Sequence, residues 1–180
     1  MKTLRNIIVA TVLAVGLAVA VPRSAPAQIP AQTEQGIQRR VVHELRMLPY
    51  YSIFDNLNFS VQGSTVVLSG EVVDPVLKSD AGNVVKHVEG VSQVVNNIEV
   101  LPLSHFDWQI RRAEYRAIYS SPGFEKYYSA LPPIHIIVKN GHVTLMGVVA
   151  DAMDKNLAGI RANQVPGVFS VENDLQVERG

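Results

Sequence analysis

His43-Glu44 opens like the zinc-protease helix motif, in which a second histidine four residues on completes the metal pair; position 47 is Met47, so the pair is never made. There is no G-x-S-x-G turn to present a serine and no glycine-rich loop to cradle phosphate. With no cysteine, thiolate nucleophiles, thiol zinc sites, iron–sulfur clusters and disulfides are excluded. His135 and His142 flank a turn, Asn140-Gly141. Their neighbours Ile134, Ile136 and Val143 are inward positions, so alternation predicts both imidazoles facing solvent, too far apart along the strands to share a metal. The carboxylates are scattered, without an acid/base pair. These residues predict a protein that is not an enzyme and holds no metal or cofactor.

One segment is chemically distinctive. Seven of the twelve aromatic residues fall between Phe106 and Tyr128. A helix over 107–119, begun by Asp107, puts Trp108, Arg112, Tyr115 and Tyr119 on one face, flanked by Arg111 and Arg116. Ile110, Ala113 and Ala117 lie on the other and could seat the helix on a sheet. Aromatics interleaved with arginines suit a membrane interface. Amphipathic rings favour the headgroup level, and each arginine adds about 1 kcal/mol of attraction to anionic lipid. Two other uses fit the same spacing: core or domain–domain packing, and a protein-partner surface. Phe124, Tyr127 and Tyr128 lie between Pro122-Gly123 and Pro132-Pro133, as a second contact loop or a lid over a sheet edge.

The elements that must position these residues come in two copies. Gly63–Val100 and Asn140–Val177 align without a gap at a shift of 77 residues and are identical at 14 of 38 positions. In the first copy Leu57, Phe59 and Val61 alternate with polar residues, Gln62-Gly63-Ser64 turns the chain, and Val66, Leu68 and Val72 resume, predicting a hairpin. Asp74-Pro75 reads as the cap and first residue of a helix bearing Leu77, Ala81, Val84, Val85 and Val88. Gly90 ends it, and a third strand follows through Val91, Val94, Ile98 and Val100, its alternation slipping near Val94-Val95. The second copy repeats this order, with Asp151 as the cap. A further helix precedes each hairpin; in the first, Ile37, Val41, Leu45 and Leu48 share a face opposite Arg39, His43 and Arg46. The fold class is therefore α+β: two tandem small αββαβ sandwiches, each with two helices on a three-stranded sheet. Units this small are marginal alone, so the two should pack together.

Residues 1–27 read as a secretory signal: Lys2 and Arg5, an apolar run from Ile7 to Val21, and an A-x-A site at Ala25-Pro26-Ala27, with Ala18-Val19-Ala20 as a second such site. The run is shorter than the roughly 20 apolar residues that span a bilayer. Residues 28–33 form a polar leader, 34–100 the first domain, 101–105 a linker and 106–178 the second domain. Cleavage near Ala27 would release a periplasmic protein. Zero net charge argues against nucleic acid as a partner.

The hairpin ends VVLSGEV and VTLMGVV and the tails VEGVSQVVNNIEV and VPGVFSVENDLQV resemble the BON domain, the bacterial osmotic-shock and nodulation module. The marks that carry the resemblance are Gly70, Gly90 and Asn96 in the first copy and Gly147, Gly167 and Asn173 in the second. The asparagines read as fold residues that bond a neighbouring loop. The resemblance covers residues 34–178 and implies association with phospholipid surfaces in support of the cell envelope and its stress tolerance, without catalysis. It leaves two partners open, an anionic phospholipid membrane surface and an envelope protein. About five extra residues around 120–133 set the first helices of the two copies apart.

Overall fold

The computed structural model describes residues 31–129 and 132–178, with side chains from residue 34 onward. The stretch read as a signal, 1–27, lies outside the described residues. Helix α1 (Ala31–Arg46) begins within the stretch read as leader. It is followed by β1 (Asn56–Gln62), β2 (Thr65–Val72), α2 (Pro75–Lys86), β3 (Gln93–Asn96) and β4 (Glu99–Val100). The second copy runs α3 (His105–Tyr119), a short 3₁₀ turn at Glu125–Tyr127, β5 (Ile134–Lys139), β6 (His142–Val149), α4 (Ala152–Asn163), β7 (Ser170–Asn173) and β8 (Gln176–Val177).

Each sheet is mixed. β1 and β2 form the antiparallel hairpin, and the crossover helix α2 returns the chain so that β3 and β4 both pair parallel with β2. β5 to β8 repeat the pattern around α4. The expected third strand is thus one strand broken in two. The break falls at Asn97-Ile98, beyond the slip read at Val94-Val95, because Asn96 Oδ1 turns back to accept the Ile98 N–H at 3.2 Å.

The apolar stripe Ile37, Val41, Leu45 and Leu48 is buried against Val66, Leu68, Leu77, Ala81 and Val85. A second core gathers Ile110, Ile118, Ile134, Ile136, Val138, Val143, Leu145, Ala158 and Ala162. The units do pack together: Ile53 and Phe54, from the loop before β1, lie on the second core. Asp74 and Asp151 cap their helices, accepting the Val76 N–H and the Asp154 N–H at 2.8 Å each. The Asn140-Gly141 turn has positive φ at both residues, 53° and 79°, the two-residue hairpin geometry its sequence predicts.

Asn96 and Asn173 hold helix to sheet rather than sheet to loop. Their side-chain amides donate to the Lys78 and Lys155 carbonyls, at 2.8 and 2.7 Å, in the helices above. Gly82 and Gly159 make room: a Cβ at either would stand 2.8 or 2.7 Å from the asparagine nitrogen. Asn173→Ala should cost about 1 kcal/mol, since it removes two part-buried hydrogen bonds, one to the Lys155 carbonyl and one from the Leu175 N–H. A urea midpoint unchanged from wild type would show that water replaces both bonds at no cost.

Candidate functional site: the outer face of helix α3

Helix α3 starts earlier than expected. Ser104 is its cap, its Oγ accepting the Asp107 N–H at 3.2 Å. Asp107 is instead fully buried inside the first turn, where its two carboxylate oxygens accept the Asn140 and Gly141 N–H groups at 3.0 and 2.8 Å. It therefore caps the β5–β6 turn from below.

The docking face of α3 is not the small-residue face read from sequence. Asp107, Ile110, Arg111, Glu114, Ile118 and Tyr119 are buried, while Ala113 and Ala117 are half-buried toward α4. Two of the six residues read as lipid contacts are thereby corrected. Arg111 is 2% and Tyr119 1% exposed, and both serve the edge of strand β5. Arg111 Nη2 donates to the Val138 carbonyl at 2.6 Å and Tyr119 Oη to the Ile134 carbonyl at 2.7 Å. Between them the Ile136 N–H donates to the Ile53 carbonyl of the first domain at 2.7 Å. Outward-facing backbone of an open strand edge must be occupied or it will pair with another chain. Here two long polar side chains and one loop do so.

Arg111 lies in a row of charge that spans both domains. Burial lowers its pKa, and the fields of Asp107 and Asp55 oppose that shift. Asp55, also buried, accepts the Val73 N–H and the Ser52 N–H and hydroxyl. Glu114 has no such relief. It is fully buried, neither carboxylate oxygen has a hydrogen-bond partner among the described residues, and burial pushes its pKa up to about 8. Nothing in the sequence marks it. It takes the middle of an i, i+4, i+8 stripe, Ile110-Glu114-Ile118, of the kind that α1 fills with Ile37-Val41-Leu45.

The other four residues are exposed: Trp108, Arg112, Tyr115 and Arg116. Trp108 is 43% exposed while its ring meets Phe54 of the first domain edge-on at 5.8 Å, so it both closes the seam and faces out. Tyr115 is 40% exposed and leans on Tyr119, ring centres 5.1 Å apart. Arg112 and Arg116 form no ion pair among the described residues. Leu103, 93% exposed, stands beside the Trp108 end of the helix and extends the apolar patch into the linker.

The aromatic loop after α3 is fastened rather than free. Phe124 and Tyr127 are buried. Tyr127 Oη donates to the Asp154 carboxylate and accepts the Ala150 N–H at 2.8 Å. Lys126 pairs with Asp154 at 2.6 Å, and with Tyr127 it holds that carboxyl below its usual range although burial opposes the shift. Tyr128 Oη donates to the Tyr119 carbonyl at 2.7 Å. The loop is a packed brace on α3 and α4.

His142 is exposed as expected, but His135 is not. It stacks on Tyr51 at 5.6 Å in the domain seam, and burial lowers its pKa. The inter-domain hydrogen bond at Ile136 draws this strand against the first domain, which alternation within one strand cannot foresee. His135 pairs with Met146 and His142 with Lys139, four residues further along β5, so the two imidazoles do not meet. Among the described residues no group of three histidine, aspartate or glutamate side chains could hold a metal, and no helix is long and apolar enough to cross a membrane.

No curated protein matches the chain. Solved structures similar to it include CdsD, a structural protein of the type III secretion system of Chlamydia trachomatis, at 13% identity and a TM-score of 0.34, covering 80% of this chain and 93% of that one. The C-terminal domain of CdsD is similar at 14% identity and a TM-score of 0.28, covering 78% and 96%. At these TM-scores the likeness carries no weight for function. The BON domain family model matches twice, over residues 33–102 and 125–179. The second match starts beyond α3. With most of its length matched in two successive copies, the chain belongs to the BON domain family.

Proposed function

We propose that the protein is a non-enzymatic periplasmic module, exported by residues 1–27, that associates with anionic phospholipid through the outer face of α3 and supports envelope integrity under stress. The observation that carries this reading is the side-by-side exposure of Trp108 and Tyr115 with Arg112 and Arg116, which have no ion-pair partner among the described residues. The rings suit the headgroup level, and the guanidiniums suit its negative potential. The buried row on the opposite face fixes the helix against the sheet, so both kinds of side chain are presented without further ordering.

Co-sedimentation of the protein, residues 28–180, with vesicles containing phosphatidylglycerol should show binding that weakens sharply between low and high salt, because exposed charges are screened within about 10 Å at 0.1 M and about 3 Å at 1 M salt. Loss of both Arg112 and Arg116 removes about 2 kcal/mol, or roughly thirtyfold in affinity. Trp108→Ala should weaken binding at both salt concentrations. Absence of binding by the wild-type protein at low salt would refute the reading and favour the other partner, an envelope protein docked on the same patch.

A further inference from the structure

Each domain has a groove between its two helices. In the first it is lined by Arg40, Glu44, Val84, His87, Val88 and Glu89. Two glutamates share the groove with the single arginine, and Arg40 Nη2 is already bonded to the Glu89 carbonyl at 2.9 Å. The 77-residue shift carries Val84, His87, Val88 and Glu89 onto Arg161, Gln164, Val165 and Pro166, which line the matching groove of the second domain together with Ala113, Arg116 and Ala117. The groove has thus lost its carboxylates and gained a second guanidinium. Neither Arg116 nor Arg161 has a carboxylate partner among the described residues, and Arg161 Nε is buried with no hydrogen-bond acceptor. Carbonyls of the last turn of α4 do not answer it: those of Arg161 and Ala162 already accept the N–H groups of Gln164 and Val165. Ala113 and Ala117 leave a space of about 260 Å³ between the helices.

We infer that this α3–α4 groove is a phosphate site, in which Arg116 and Arg161 grip the phosphate of one headgroup and Gln164 adds a donor. Two guanidinium forks in a small recess fit a tetrahedral oxyanion by paired N–H···O bonds, which a planar carboxylate uses less fully. The inference rests on the surface reading above and deepens it: Trp108 and Tyr115 give general attraction to a membrane, and the groove selects the headgroup.

The test uses two kinds of vesicle of matched surface charge in a phosphatidylcholine background, one charged by phosphatidic acid, the other by oleate. The wild-type protein should bind the first about tenfold more tightly. Arg161→Gln should abolish that preference while weakening binding to oleate vesicles by no more than the roughly fivefold that one lost surface charge accounts for, whereas Trp108→Ala should weaken both. In parallel, inorganic phosphate titrated into the wild-type protein should shift the Arg161 Nε–H resonance, a readout that needs no variant to fold. Equal affinity for the two vesicles together with an unmoved Arg161 resonance overturns the groove and leaves the surface reading intact. No binding to either vesicle with a moved resonance refutes the surface reading and leaves a site for free phosphate. Silence in both assays refutes both.

Discussion

Gly147→Ala is expected to stop the second domain from folding. Gly147 follows the core part of β6 at φ +115°, a conformation that L side chains rarely adopt, and a Cβ there would stand 1.8 Å from the Pro133 carbonyl oxygen. The obstacle is backbone, at the residue just before the paired strand, so no rotamer change relieves it. Gly70 repeats the arrangement in the first domain, at φ +110° and 2.0 Å from the Asn56 carbonyl oxygen. Backbone strain of this kind costs about 1–3 kcal/mol by itself. With a steric overlap added, the loss exceeds about 4 kcal/mol, a large part of the 5–15 kcal/mol that holds an ordinary domain together. Gly123 supplies the control. Its φ is +91°, but nothing among the described residues lies within 4 Å of its would-be Cβ, so Gly123→Ala should cost only about 1 kcal/mol. Thermal unfolding followed by circular dichroism separates the two. Equal melting temperatures for the Gly147 and Gly123 variants would show that the close approach, as opposed to the dihedral angle, contributes nothing.

The second large effect runs the other way: removing Glu114 should stabilise the protein. Its carboxyl is held protonated in the folded state by burial, up to about pH 8, against an ordinary value of 4.5. Between those values the unfolded chain releases a proton that the folded chain keeps. Stability from this group is therefore complete below about pH 4.5, falls as the pH rises, and is lost above about pH 8. At about 1.4 kcal/mol per pH unit, the deficit at pH 7 is about 3 kcal/mol. Glu114→Gln abolishes the titration and should flatten the urea midpoint between pH 5 and pH 8. Glu114→Val, which restores the apolar stripe that α1 builds with Val41, should be more stable still. A Glu114→Gln protein whose midpoint falls with pH as steeply as wild type would place the titration elsewhere. The outer face of α3 is untouched by either change, so binding to phosphatidylglycerol vesicles at pH 7 should be retained.

These two sites mark how much was legible in the residues. Gly147 was legible only as a recurring mark of the family resemblance; the positive φ and the close carbonyl supply the physical reason for it. Asn96 and Asn173 were legible as fold residues, although they reach a helix carbonyl rather than a loop. Glu114 was silent, since a lone glutamate at helical spacing carries no sign of burial. Arg111 and Tyr119 were read onto the wrong face. Spacing fixes which residues share a side of a helix, but the side that docks was assigned by the rule that a face of small and apolar residues, here Ile110, Ala113 and Ala117, seats a helix on its sheet. That rule fails when a neighbouring strand edge has backbone groups to satisfy.

By itself the sequence determined the duplication, the αββαβ order, the two helix caps and the tight turn of the second hairpin. All of these follow from local dihedral preferences and from apolar periodicity within single elements. Only the tertiary structure decided which side of α3 is buried, that His135 lies in the seam, and that the two arginines of the α3–α4 groove share one recess. Those outcomes depend on what a second element offers across a few ångströms, and that partner can lie tens of residues away in the chain, beyond the reach of any pattern read along one helix or strand.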